Sequence, residues 1–319
     1  MKKIFNIILF ALFCTSCTQA QVDKLTQDPA SQDVVVRTSS EKVQKGTFEF
    51  TYEGQTLKYE VANGNEAMVS EQQSAKISGD VKIPENVTFA GEKYSVTTIG
   101  QKAFFYCDTL TSVSIPNSVT TIGTEAFGNC RGLSSITIPN SVKTIEASAF
   151  WGCEGLTNVF LPNSVETIEA SAFGSCENLK SIDVAKDNSH YSSENGVLFD
   201  ISKKTLIQCP CGIKGKYVIP NSVTTIGEGA FMYCGITDVT IPNNVKTIGA
   251  GAFGACKGLT NVTIPSSVTM IEYRAFGFCE GLTVLAVENA TPPEMKEDVF
   301  DYVSENITIY VPAESVEKY

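Results

Sequence analysis

The sequence predicts a repeat solenoid, mostly β with short helical turns. Three observations predict it. A unit recurs at a spacing of 23 residues between Ile115 and Val184; Pro116, Pro139 and Pro162 mark one point of it, Phe127, Phe150 and Phe173 another, and Cys130, Cys153 and Cys176 a third. A fixed period of this kind marks stacked supersecondary units rather than a globule. Within the unit, short runs such as Ser135-Ile136-Thr137-Ile138 alternate polar with apolar residues, the period of a strand with one face inward. Finally, 43% of the 319 residues are hydrophobic and 18% charged, the balance of an ordered body rather than a disordered chain.

Each part of the unit has a physical reason. Pro139 has no amide hydrogen and closes the strand that ends at Ile138. Asn140 and Ser141 turn the chain, and Val142 and Ile145 point inward from a second short extended segment. Glu146 to Cys153 spaces Ala149, Phe150 and Cys153 by one and three residues, which predicts a single helical or 3₁₀ turn. Leu156 leads into the next strand. One coil alone leaves both sides of its apolar residues in water, so the repeat needs the array and the array needs covered ends.

In chain order, residues 1–16 read as a lipoprotein signal peptide. Lys2 and Lys3 precede an apolar run, Ile4 to Phe13, that is too short to span a bilayer. Residues 17–45 are polar and read as a flexible tether. Residues 46–83 read as an N-terminal β cap, a hairpin of Thr47 to Tyr52 and Leu57 to Val61. Residues 84–290 form the solenoid, with a loop expected over Thr88 to Ser95 and a variant coil at 185–219 built from a loop and a hairpin. Residues 291–319 read as the final coil and a C-terminal cap.

The recurring I-P-x-S-V-x-x-I-G-x-x-A-F-x-x-C-x-x-L pattern, seen from Ile115 through Ala126-Phe127, Cys130 and Leu133, resembles the BspA-type leucine-rich repeat family of bacterial surface proteins. The resemblance runs from about Phe48 to the C-terminus. It implies a right-handed, curved, leucine-rich-repeat-like solenoid, with roles in adhesion to host matrix proteins, coaggregation and host recognition, and no shared catalytic residues. Cys14-Thr15-Ser16-Cys17 likewise resembles a bacterial lipoprotein signal, in which Cys17 carries the lipid, although Cys14 stands where such signals usually have Leu.

Composition narrows the chemistry. The formal net charge of −11 opposes a nucleic-acid partner. The one histidine, His190, has no partner motif, and no serine sits in a nucleophile elbow. Seven of the 11 cysteines, at 107, 130, 153, 176, 234, 256 and 279, share one repeat position, and read as small buried thiols beside the phenylalanine column rather than as metal ligands. Cys209-Pro210-Cys211 reads as a pair of loop thiols, and Asp108-Thr109-Leu110 matches a short bacterial O-glycosylation pattern. No enzyme activity, cofactor or metal is expected.

The functional surface is expected on the outward face of the strands. There small polar residues such as Ser114, Thr137, Thr240 and Thr263 are interrupted by Phe160, with Asp183 and Asp238 nearby. Trp151 stands where positions 128, 174, 254 and 277 carry Gly. Large aromatics at such points anchor interfaces. The expectation is an adhesion or recognition module, lipid-anchored on the outer membrane and surface-exposed or else secreted. It would bind a matrix or microbial surface protein through Trp151, Phe160, Asp183 and Asp238, touching the membrane only through the anchor. The alternative is a glycan-binding module of a carbohydrate-uptake system.

Overall fold

The computed structural model describes residues 46–318, so the signal, Cys17 and the tether lie outside the described residues. The chain winds as a mostly-β solenoid of about nine turns with almost no helix. Each regular coil contributes one strand to a front row, such as Asn158–Leu161, and a two-residue strand to a back row, such as Thr144–Ile145. The rows pair in parallel with like residues opposite one another: Phe160 faces Asp183 in front, and Ile122, Ile145 and Ile168 align behind. The inward residues are buried throughout, with Val142, Ile145, Phe150, Cys153 and Leu156 all at 0% exposure.

Turns without helix join the back row to the front row. The expected helical spacing of Ala149, Phe150 and Cys153 arises from linked β-turns in which alternate amides have different destinations. The Ala149, Trp151 and Cys153 amides donate within the coil, to Glu146, Ser148 and Phe150 carbonyls. The Ser148, Phe150 and Gly152 amides donate to Ala170, Ala172 and Gly174 of the next coil. A helix would turn all of these groups back on itself; linked turns leave half of them for the neighbouring coil. The geometry requires two left-handed residues per coil, one before the Ala-Phe pair and one two residues after it, as at Ser148 (φ 56°) and Gly152 (φ 69°). Most of these positions are not glycine: Lys102, Glu125, Ser171 and Arg274 hold the first, and Tyr106, Asn129, Tyr233 and Phe278 the second.

The ends and the variant coil depart from the unit. Thr47–Tyr52 and Gln55–Val61 form the expected hairpin, and a third strand, Glu66–Val69, joins it in parallel to Glu92–Ile99 of the back row. The stretch read as a loop is a second hairpin, Asn86–Phe89 with Glu92–Ile99, turned by Ala90 (φ 50°) and Gly91 (φ 81°). Ala-Gly is a weak turn signal beside Asn-Gly, which is why the alternation of Phe89 and Tyr94 went unread. At the other margin, Thr308–Tyr310 extends the front row, and Ser315 of the 3₁₀ helix Ala313–Lys318 donates its hydroxyl to the Ala290 carbonyl at 2.8 Å.

The variant coil is a three-stranded meander, Tyr191–Glu194, Val197–Asp200 and Thr205–Gln208, whose first turn is Asn195-Gly196. Its tip meets the front row, where the Ile182 amide donates to the Gly196 carbonyl at 2.8 Å. Cys209 then takes the place of the ladder phenylalanine: its amide donates to Ala230 as the Phe104 amide does to Ala126. The stacked rings of Phe104, Phe127, Phe150 and Phe173, 5.2–5.3 Å apart, therefore stop there. A second stack of Phe231, Phe253, Phe276 and Phe300 begins beyond, with Tyr217 packed edgewise against Phe231 at 5.5 Å. The buried core divides into two clusters at the same place.

The left-handed position at Ser148 gives a direct check. Ser148→Val places a β-branched residue at positive φ and is expected to lower stability by about 1–3 kcal/mol. Ser148→Gly is expected to leave it unchanged or raise it by up to ~1 kcal/mol. Urea unfolding of the two variants reads the difference, and equal midpoints would contradict a turn built on left-handed residues.

Candidate functional site

The outward middle position of the front row runs through Ser114, Thr137, Phe160, Asp183, Thr240, Thr263 and Ala286, as the spacing implied. Phe160 is 56% exposed and lies in register with Asp183, whose carboxylate accepts from the Ser181 hydroxyl at 2.8 Å. Two further apolar residues share the row, Val218 at 59% and Tyr310 at 60% exposure. Sequence reasoning passed over both because they fall in the variant and last coils. Each nevertheless precedes an Ile-Pro or Val-Pro pair, as Phe160 precedes Leu161-Pro162. Asp238 is half-buried one residue pair along its strand, with Lys216 Nζ at 3.9 Å. The structure thus brings Phe160 and Asp183 together and leaves Asp238 on the far side of the variant coil.

Trp151 belongs elsewhere, on the turn edge of the coil. Its ring lies over Gly174, where a Cβ would sit 2.5 Å from Cε3 and Cζ3, and it meets Tyr233 edge-on at 5.2 Å. The same rule repeats along the edge: Phe105 lies over Gly128, and Met232 over Gly251 and Gly254. Glycine at these positions is space for the preceding coil's side chain. Trp151 and Phe160 do not form one site.

The family model described as BspA type Leucine rich repeat region matches residues 82–195 and 200–318, in 6 copies. The chain belongs to this family. Among solved structures, a leucine-rich repeat protein from Eubacterium ventriosum ATCC 27560 is similar at 23% identity and TM-score 0.62, over 83% of this chain and 78% of that one. A leucine rich cell surface protein from Faecalibacterium prausnitzii A2-165 is similar at 20% identity and TM-score 0.51, over 86% and 98%. The pneumococcal vaccine antigen PcpA is similar at 18% identity and TM-score 0.56, over 86% and 95%. At these identities the likeness shows the fold. No curated protein matches the chain.

In this BspA-type chain the cysteine column is a hydrogen-bonded part of the core. Cys130, Cys153 and Cys176 donate their S–H groups to the Phe104, Phe127 and Phe150 carbonyls at 2.9–3.1 Å, each reaching back one coil. Cys209 and Cys211, read from sequence as loop thiols, are buried at 0% and 2%, because the variant coil's turn uses them in place of the Phe and Cys of the repeat. The S–H of Cys234 lies 3.4 Å from the Cys209 carbonyl and 3.6 Å from Cys211 Sγ. Burial pushes the Cys107 thiol up from 9.0 to about 12, with Asp108 adding to the shift. Burial moves Cys279 to about 12 as well and holds Cys153 well above 9.0. Such thiols are poor nucleophiles. His190 is exposed beside Ser189, with Nδ1 3.1 Å from its hydroxyl, and Thr109 donates its hydroxyl to the Ile77 carbonyl at 3.0 Å. No helix among the described residues is long and apolar enough to cross a membrane.

Two outcomes follow from this packing. Unfolded thiols ionise near pH 9 while the folded ones hold their protons, so the stability they contribute is present below pH 9 and is lost as pH rises toward 12. Thermal unfolding midpoints are expected to fall over that window, and to fall less steeply in Cys107→Ala; a flat profile would contradict the assignment. Separately, Gly174→Ala is expected to push the Trp151 ring into water, costing about 1–3 kcal/mol and shifting its fluorescence to longer wavelength.

Proposed function

We propose that this protein is a non-enzymatic recognition scaffold of the cell surface that binds a protein partner through its front row. The observation that carries this reading is Phe160, a large aromatic 56% exposed in the middle of a flat polar row, with the Asp183 carboxylate in register beside it. An exposed aromatic flanked by a fixed carboxylate has the composition of an interface anchor, and the surrounding hydroxyl side chains suit a polar rim. Val218 lies farther along the same row and widens the apolar contact. The front row is open rather than cleft-like, which favours binding over catalysis. Lipidation at Cys17 and display on the outer membrane, or secretion, are part of this proposal. A similar fold in a protein described as a leucine rich cell surface protein supports it.

Binding of the mature protein to an immobilised panel of extracellular matrix proteins tests the reading. Phe160→Ala is expected to weaken any interaction found by at least about tenfold, and Asp183→Asn by less, with unfolding midpoints unchanged. Binding that survives both substitutions would move the interface off this face.

A further inference from the structure

The turn edge of the second half holds a site that the front-row reading does not use. Four turn positions can be followed across three successive coils. The first coil carries Glu228, Gly229, Met232 and Tyr233, and the third carries Tyr273, Arg274, Gly277 and Phe278. The coil between them carries Ala250, Gly251, Gly254 and Ala255, the smallest residues available at every one of the four positions. The result is a cleft of about 320 Å³ with a floor of alanine and glycine. Tyr233 stands on one side, 46% exposed, and Tyr273 and Phe278 on the other, 43% and 39% exposed.

The dimensions select a thin occupant. Successive coils are 5.0 and 5.1 Å apart at the phenyl column below, so the two sides stand about two coil steps apart. Subtracting the van der Waals radii of both sides leaves room for one ring, since stacked ring systems sit a few ångströms apart.

The charges select its chemistry. Arg274 lies over the Tyr273 ring at 4.9 Å and the Phe278 ring at 5.8 Å, and it pairs with Asp301 at 2.9 Å. The cation sites of those rings are therefore already taken, which disfavours a cationic ligand. Asp301 neutralises the guanidinium, and the Glu228 carboxylate is exposed at the rim, which disfavours an anion. What remains is a neutral flat ring with an apolar face and hydroxyls at its edge, able to lie against tyrosine and donate to Glu228. On the same edge Phe278 stacks on Tyr302 at 4.6 Å, and Tyr302 is 67% exposed, so the aromatic surface continues past the cleft along the direction in which a chain of rings would run.

We propose that this cleft binds one neutral hexopyranose residue of a glycan, set between Tyr233 and Tyr273 over the floor of Ala250, Gly251 and Gly254. Trp151 is the one tryptophan of the chain and touches Tyr233, so it reports on the site. The test uses the mature protein and the methyl glycosides of glucose, galactose, mannose and N-acetylglucosamine. The readouts are saturation-transfer NMR and Trp151 emission. At least one glycoside is expected to show saturable binding with a Kd on the order of 1 mM, as a single small ring allows. Tyr273→Ala, and Ala250→Leu, which fills the cleft while keeping both sides, are each expected to weaken binding at least tenfold at unchanged unfolding midpoints; Phe160→Ala is expected to leave it unaltered. The proposal is overturned if no glycoside shows transfer, or if binding survives both cleft variants. It is also overturned if an N-acetylated tyrosine or phenylalanine amide, and no glycoside, occupies the cleft, which would assign it to a partner's side chain. None of these outcomes bears on the front-row interface, which Phe160→Ala tests by itself.

Discussion

Pairing between coils through backbone amides is the constraint from which the rest of the structure follows. A coil that places half of its turn amides on the next coil must repeat its backbone at the same height each time, and like residues then fall into columns. The phenylalanine column, the S–H groups that reach back to phenylalanine carbonyls and the parallel two-residue strands of the back row are all consequences of that one step. The left-handed residues on either side of Ala-Phe are what the step requires of the chain. Their mild conformational cost is offset by hydrogen bonds that an isolated coil could not make.

Much of this was legible in the sequence because columns in space are periods along the chain. The strands, the inward Val142, Ile145, Phe150 and Leu156, the buried thiols and the outward row holding Phe160 and Asp183 all follow from the spacing of 23 residues. What escaped was conformation that residue type reports poorly. Helical spacing at Ala149, Phe150 and Cys153 does not distinguish a helix from linked turns, and serine, lysine or tyrosine at a left-handed position carries no mark of it. Cys209 and Cys211 were hidden for another reason. Their role is defined by the column they interrupt, and that alignment requires knowing where the meander rejoins the stack.

The cleft on the turn edge shows the same limit. Its signal is present in Ala250-Gly251 and Gly254-Ala255, yet a run of small residues reads as ordinary turn composition until the flanking coils are laid beside it. Function in such a scaffold resides in differences between neighbouring coils. The front row and the turn edge are separate surfaces of one rigid array, so a chain of this kind can hold a broad protein contact on one and a small ligand on the other. Trp151 illustrates the division: it joins the edge by packing on Gly174 and Tyr233, and takes no part in the row that presents Phe160.

The alternation of a large side chain with glycine along the turn edge bears on how the array can lengthen or shorten over generations. Phe105 rests on Gly128, Trp151 on Gly174 and Met232 on Gly254, so the steric unit of that edge is two coils although the backbone unit is one. Copying or losing a single coil would set bulk against bulk, or hollow against hollow, whereas gaining or shedding coils in couples keeps every ring over a space that fits it. The number of turns in such a protein is thus constrained by parity as well as by length.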